Sequence, residues 1–154
     1  MRYEKRINLL AAALVASVIM ISAHQQVGLS AVKLRSQQEQ AAQVEFITPG
    51  ELKAKIEKHE PVTIVDLRAP AVYAQSDNTI KGSVHAKVRK VAYQLRNIPP
   101  DKEIIIYCAC SADEAAIIGA QALSAKGFKR VRVLKGGWNA WLQAGGQVQS
   151  KPKF

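Results

Sequence analysis

The chain has 154 residues, 48% of them hydrophobic and 22% charged, with two cysteines. That is enough for one modest domain plus an appendage, and it excludes a collagen-like chain, a disulfide scaffold and a wholly disordered polymer. The 22 Lys and Arg against 12 Asp and Glu give a net charge of +10, which invites an acidic partner such as nucleic acid or a membrane surface.

The charge is spread out. Residues 1–43 carry a net +3 and the remainder a net +7. The densest runs, Lys87-Val-Arg89-Lys90 and Lys129-Arg130-Val-Arg132, stand beside no aromatic-rich strand motif and no zinc or helix-turn-helix spacing. They read as a solvated basic surface, and no nucleic-acid partner is expected.

In chain order, residues 2–6 are polar and mostly basic, and an apolar run follows from Ile7 to Ala23, broken only by Asn8, Ser17 and Ser22. This is the layout of a secretory signal or a signal anchor. A helix of that length spans about 25 Å, just short of a hydrocarbon core of roughly 30 Å. A cut after Ala23 would put the bulky Ile21 where a small residue is preferred, which tilts the reading toward an uncleaved anchor. A buried core helix is disfavoured, because the run has no polar face. The positive residues precede the apolar run, so the amino terminus stays inside and the rest crosses. The expected location is the inner membrane, single-pass with the domain facing the periplasm, or secretion to the periplasm. Residues 24–43 hold six Gln and few large apolar residues, and read as a polar linker. The expected division is a signal peptide or anchor over 1–23, a linker over 24–43, a domain over 44–150 and a tail over 151–154.

Ile47-Thr48-Pro49-Gly50-Glu51-Leu52 is a complete helix start. Thr48 and Glu51 can close a capping box, Pro49 suits the first turn, and Ile47 and Leu52 can staple the entry. The helix should run to about His59, a solvated C-terminal His. Val62–Val65, Ile104–Tyr107 and Val131–Leu134 are short, nearly continuous apolar runs, as expected of parallel strands covered on both faces. Ala112–Lys126 reads as a helix closed by Gly127, and Trp138–Gln143 as a shorter one ended by Gly145-Gly146. Strands alternating with helices predict an α/β domain with a mainly parallel sheet, in which functional groups gather at the carboxyl ends of strands.

Asp66, Arg68 and Cys108 all fall at such ends. After Cys108, Ser111 and Glu114 have the spacing of a capping box, so a helix should start there. Free amides and the helix dipole then favour a thiolate and any anion bound to it. An inert buried cysteine is the competing reading.

These segments resemble the rhodanese-homology family over roughly Val44 to Val148. Ile64-Val-Asp66-Leu-Arg68 is similar to its strand ending in Asp-x-Arg. Ile80-Lys-Gly82-Ser-Val84-His85 is similar to its Ile-Pro-Gly-Ala segment, with Lys81 in place of Pro. Ile106-Tyr107-Cys108 resembles the strand that ends at the catalytic cysteine, and Lys126-Gly127-Phe128 the close of the next helix. Val133-Leu134-Lys135-Gly136-Gly137-Trp138-Asn139-Ala140-Trp141 resembles the closing Gly-Gly-hydrophobic-x-x-Trp signature. The Cys-x-Cys loop also looks like that of single-domain members attached to membrane proteins.

The resemblance implies a three-layer fold and a sulfurtransferase that moves a sulfane sulfur through a Cys108 persulfide. The partners would be a small donor, thiosulfate or a persulfide, and a thiol acceptor, with the membrane reached through the N-terminal segment. No cofactor and no metal are implied. The backbone of Ala109, Cys110, Ser111, Ala112 and Asp113 would cradle the outer sulfur. Asp66 and Arg68 would pair as a structural brace, His85 would pack at the rim, and Trp138 and Trp141 would be core.

Two departures stand out. The loop offers Asp113 and Glu114 and no Lys or Arg between Cys108 and Lys126. That weakens the case for an anionic donor such as thiosulfate, and it argues against a cysteine phosphatase. The other departure is Cys110, which could resolve the persulfide, form a disulfide with Cys108, or pack at the helix start. The competing functions are a non-catalytic rhodanese-like binding module and a Cys108/Cys110 thiol-redox or Cu(I) site. A zinc site fails on ligand number.

Overall fold

The computed structural model describes residues 44–151. The apolar run of 7–23, the linker of 24–43 and residues 152–154 lie outside the described residues. Among the described residues, no helix is long and apolar enough to cross a membrane.

Five strands make one sheet, in the order β1 (Glu45–Ile47), β6 (Arg130–Leu134), β5 (Glu103–Tyr107), β2 (Val62–Asp66), β4 (Val84–His85), and every pairing is parallel. The apolar run of β5 has its cause in this position. Ile104 and Ile106 enter the core on one face, while Ile105 and Tyr107 enter the core on the other. A central parallel strand has no solvated side, so alternation disappears from its sequence.

Helices cover both faces, which gives three layers. On one side α3 (Val91–Gln94) and α4 (Glu114–Ser124) bring Val91, Ala116, Ala120 and Leu123 against Val65, Ile106 and Val133. On the other, α1 (Pro49–Glu57) and α5 (Gly137–Gln143) bring Leu52, Trp138 and Trp141 against Ile64, Ile105 and Leu134. Burying each Val, Leu or Ile among these contributes about 1.5–3 kcal/mol.

The capping box of α1 forms. The Glu51 amide donates to the Thr48 hydroxyl at 3.2 Å and the Thr48 amide to the Glu51 carboxylate at 2.7 Å. Those bonds hold the Glu51 carboxyl below its usual range. Ile47 and Leu52 join one core cluster, as the staple requires. The chain leaves α1 through His59 in the left-handed region, at φ +56°.

The capping box expected at Ser111 does not form. The helix begins at Glu114 instead of Ala112, and its N-cap is Asp113, which makes no side-chain cap bond. The Asp113 carboxylate is drawn to a different partner across the site.

Short elements fill the region between Arg68 and Glu103: α2 (Pro70–Gln75), β3 (Asn78–Ile80), β4 and a 3-10 turn at Val88–Lys90 before α3. β3 pairs antiparallel with β7 (Val148–Ser150), and this two-stranded ribbon is the antiparallel exception to the main sheet.

The amino end of β5 is closed by charge. Glu103 is 4% exposed and accepts from Lys55 at 3.3 Å, from Arg130 at 2.9 Å and from Arg132. The opposite end of the strand opens into the site.

Candidate active site

Cys108 follows the last residue of β5 and is 1% exposed. Its carbonyl accepts the Trp138 amide at 2.8 Å, which ties the strand end to the start of α5. Residues 108–113 then wrap through a tight loop that ends at Asp113, with φ +56°. The Asp113 carboxylate accepts the Gly136 amide at 2.8 Å. Its other oxygen is buried without a protein hydrogen-bond partner. The loop is thus pinned to Gly136–Trp138 at both its ends. Gly137, at φ +51°, is needed at that seam, because a Cβ there would run into the Cys108 carbonyl.

Cys108 and Cys110 are joined by a disulfide, with their Cα atoms 5.7 Å apart. That separation falls inside the ordinary range for bridged cysteines. The Cys110 amide donates to Cys108 Sγ at 3.5 Å, so a backbone N–H already faces the sulfur.

Both sulfur-bearing residues line a cavity of about 450 Å³. Its walls include Leu67, Val72, Val88, Ala115 and Ile118, and among its lining residues Glu114 alone carries charge. Val72 and Ile118 are exposed at 43% and 55%, so the apolar wall continues to the surface.

Ala109 and Cys110 line this cavity, and Ser111 and Ala112 are exposed and do not. Asp113 is buried and turned toward Gly136, away from the cavity. Of the loop residues expected to cradle the outer sulfur, the geometry therefore gathers two beside Cys108. The motifs of the sequence do not point to the cavity walls on α2 and α4. Val72 and Ile118, large apolar side chains left exposed beside Pro70 and Glu114, are the signal for them.

Asp66 and Arg68 form a brace under the site. Arg68 Nε lies 3.1 and 3.0 Å from the two Asp66 oxygens, and Nη2 lies 2.7 Å from one of them. Nη2 also donates to the Asn78 carbonyl at 3.0 Å. Asp66 accepts the Tyr107 hydroxyl at 2.7 Å and the Thr79 hydroxyl at 3.1 Å. The guanidinium lies 4.3 Å over the Trp138 ring. β2, β3, β5 and α5 thus meet at one buried ion pair, and Tyr107 immediately precedes Cys108. Burial, and then the Asp66 charge, push the Tyr107 phenol well above its ordinary range, so it stays a donor. His85 stacks on Tyr73 at 3.9 Å and donates to the Arg68 carbonyl at 3.1 Å, which makes it part of the packing at the rim. Trp141 is fully buried and Trp138 nearly so.

The arrangement can hold a sulfur anion. A cysteine at a strand end, an amide aimed at its sulfur and a helix amino end just downstream lower the cost of a thiolate. Among the described residues, no group of three or more His, Cys, Asp or Glu is gathered to hold a metal.

Residues 48–144 match the family described as the rhodanese-like domain. No curated protein matches the sequence. Among solved structures, the Alr3790 protein from Anabaena is 26% identical, with a TM-score of 0.61, over 68% of this chain and 82% of that one. A protein of unknown function from Rhodopseudomonas palustris, described as a possible tyrosine phosphatase, is 25% identical with a TM-score of 0.60, over 75% of this chain and 92% of that one. The reduced CoADR-RHD protein of Bacillus anthracis is 26% identical with a TM-score of 0.51, over 64% of this chain and 16% of that one.

Proposed function

This chain belongs to the rhodanese-like domain family, which includes sulfurtransferases and many non-catalytic single-domain members, and on that premise we propose that it is a sulfurtransferase whose carrier is Cys108. The observation that carries the reading is the placement of Cys108: at the carboxyl end of β5, in the wall of an apolar cavity, with the Cys110 amide on its sulfur.

The chemistry starts from the reduced loop, because the disulfide occupies the Cys108 sulfur. The Cys108 thiolate attacks the sulfane sulfur of a donor. A new S–S bond forms on Cys108, the bond to the donor breaks, and the donor leaves as sulfite or as a thiolate. The acceptor thiolate then attacks the outer sulfur, and Cys108 returns as a thiolate. Backbone amides of the loop stabilise the charge on the outer sulfur. An apolar wall with one carboxylate, Glu114, gives a dianion such as thiosulfate little to bind. A persulfide carried on a larger molecule fits better.

The test uses the full chain carrying Cys110→Ser, reduced and free of small thiols. Treated with polysulfide and desalted, it should gain one sulfur by intact mass. The same chain with Cys108→Ser added should gain none. Equal loading of both, or loading of neither, removes the sulfurtransferase reading and leaves a binding module.

The basic residues of 2–6 ahead of the apolar run support placing the domain across the inner membrane, on the periplasmic side. A reporter fused after residue 43 should be active only if it is periplasmic, and activity of a cytoplasmic reporter there would reverse the topology.

A further inference from the structure

Resting on the sulfurtransferase reading, we propose that Cys110 is an internal acceptor that resolves the Cys108 persulfide and releases its outer sulfur as hydrosulfide. Three observations carry this. The two sulfurs are within bonding reach without rearrangement, since they form a disulfide in the fold as it stands. Cys108 is buried while Cys110 is only partly so, and both line one cavity, so a small anion released between them has a way out. The loop is fixed at both ends, by Trp138 on the Cys108 carbonyl and by Gly136 on Asp113, which holds the pair together at high effective concentration.

The step balances. The Cys110 thiolate attacks Cys108 Sγ, the inner sulfur of the persulfide. The Cys108–Cys110 bond forms, the bond from Cys108 Sγ to the outer sulfur breaks, and the outer sulfur leaves with its proton as HS⁻. The sulfane sulfur is reduced to sulfide, and the two cysteines are together oxidised to the disulfide. The next turnover needs that disulfide reduced by an external dithiol, which leaves as its own disulfide. The cysteine pair therefore gives the sulfur carried on Cys108 an internal exit as sulfide, dependent on a dithiol reductant, beside its transfer to an external thiol. An attack on the outer sulfur would instead move the persulfide to Cys110 and release nothing. The disulfide between the two residues is the product of the first path and not of the second.

The experiment compares the reduced wild-type chain with Cys110→Ser and Cys110→Ala, all full-length and kept free of oxygen and small thiols. Each is treated with polysulfide, desalted and read by intact mass, and then by peptide mapping after alkylation. The two variants should retain one extra sulfur on Cys108. The wild type should carry no extra sulfur and show the Cys108–Cys110 disulfide, with both cysteines resistant to alkylation until dithiothreitol is added. As the reverse of the same step, oxidised wild type given sodium sulfide should acquire a persulfide on Cys108 with Cys110 free.

A wild type that keeps a stable persulfide on Cys108, or moves it to Cys110, overturns the proposal while the variants still establish sulfur loading. If the variants fail to load as well, the underlying sulfurtransferase reading has failed, and this inference falls with it.

Discussion

The two ends of β5 have been built for opposite purposes. At its amino end, Glu103 is 4% exposed and meets Lys55, Arg130 and Arg132, so its charge is answered by side chains from α1 and β6. At its carboxyl end, Cys108 is just as buried, yet it opens on an apolar cavity and is addressed by a backbone amide. Neutralising a charge with long side chains is tolerant of small shifts, because those side chains can follow. Holding a sulfur against a backbone amide is not, because the backbone must be right. The carboxyl end accordingly has the features that fix a backbone: the Asp66–Arg68 brace beneath it, the glycine seam at Gly136–Gly137, and the left-handed turn at Asp113.

Substitutions should separate the two ends. The largest stability loss is expected for Arg68→Ala, which leaves the Asp66 carboxylate buried and unpaired. Breaking such a pair costs about 3–5 kcal/mol, which denaturant unfolding would read directly. A loss under about 1 kcal/mol, the range of exposed pairs, would show that the brace is not the support of this end.

Gly137→Ala comes next. A Cβ at φ +51° is strained and would press on the Cys108 carbonyl. A loss of about 2 kcal/mol is expected from the backbone alone. Sulfur loading at Cys108 should fall further than stability explains. Unchanged loading in a destabilised chain would break the link between the seam and the site.

At the opposite end, Glu103→Gln leaves Arg130 and Arg132 without their counter-charge, but Lys55 keeps Glu60 at 2.6 Å, and Arg130 is 61% exposed and can turn to water. The expected loss is about 2 kcal/mol, with sulfur loading of the folded chain unaltered. Impaired loading would mean that the two ends are coupled.

The smallest effect is expected for Tyr107→Phe, about 1 kcal/mol at neutral pH for the lost bond to Asp66. Its sharper signature is in pH. The folded phenol titrates above its ordinary value of 10.0, so between the two values the folded chain keeps a proton that the unfolded chain gives up. Tyr107 thus leaves stability intact below about pH 10 and lowers it as pH rises beyond. Alkaline unfolding of wild type should be steeper than that of Tyr107→Phe, and identical slopes would refute the assignment.

The sequence was most informative where elements are long or both faces are covered. The three apolar runs at Val62, Ile104 and Val131 are all strands of the sheet, and Thr48-Pro49-Gly50-Glu51 caps α1 as its spacing demands. Cys108 stood out because its strand ends there and a helix follows. The stretch from Arg68 to Glu103 was opaque for a physical reason: its helices have six and four residues and its strands three and two, too short to show a period.

At the start of α4, local spacing misleads. Ser111 and Glu114 fit a capping box, yet the helix waits for Asp113, whose carboxylate is held by Gly136 from a segment more than twenty residues away. The fate of Cys110 was equally beyond local pattern. A Cys-x-Cys spacing is compatible with a bond, a resolving thiol or simple packing, and only the path of the pinned loop brings the two sulfurs together.

The most direct measurement is a single-turnover chase on the Cys110→Ser chain, loaded with polysulfide and desalted. Peptide mapping should find the extra sulfur on Cys108, and an added small thiol should remove it, leaving Cys108 free to be loaded again. Sulfur found elsewhere, or sulfur on Cys108 that no thiol can remove, would contradict the claim that this residue is a sulfur carrier.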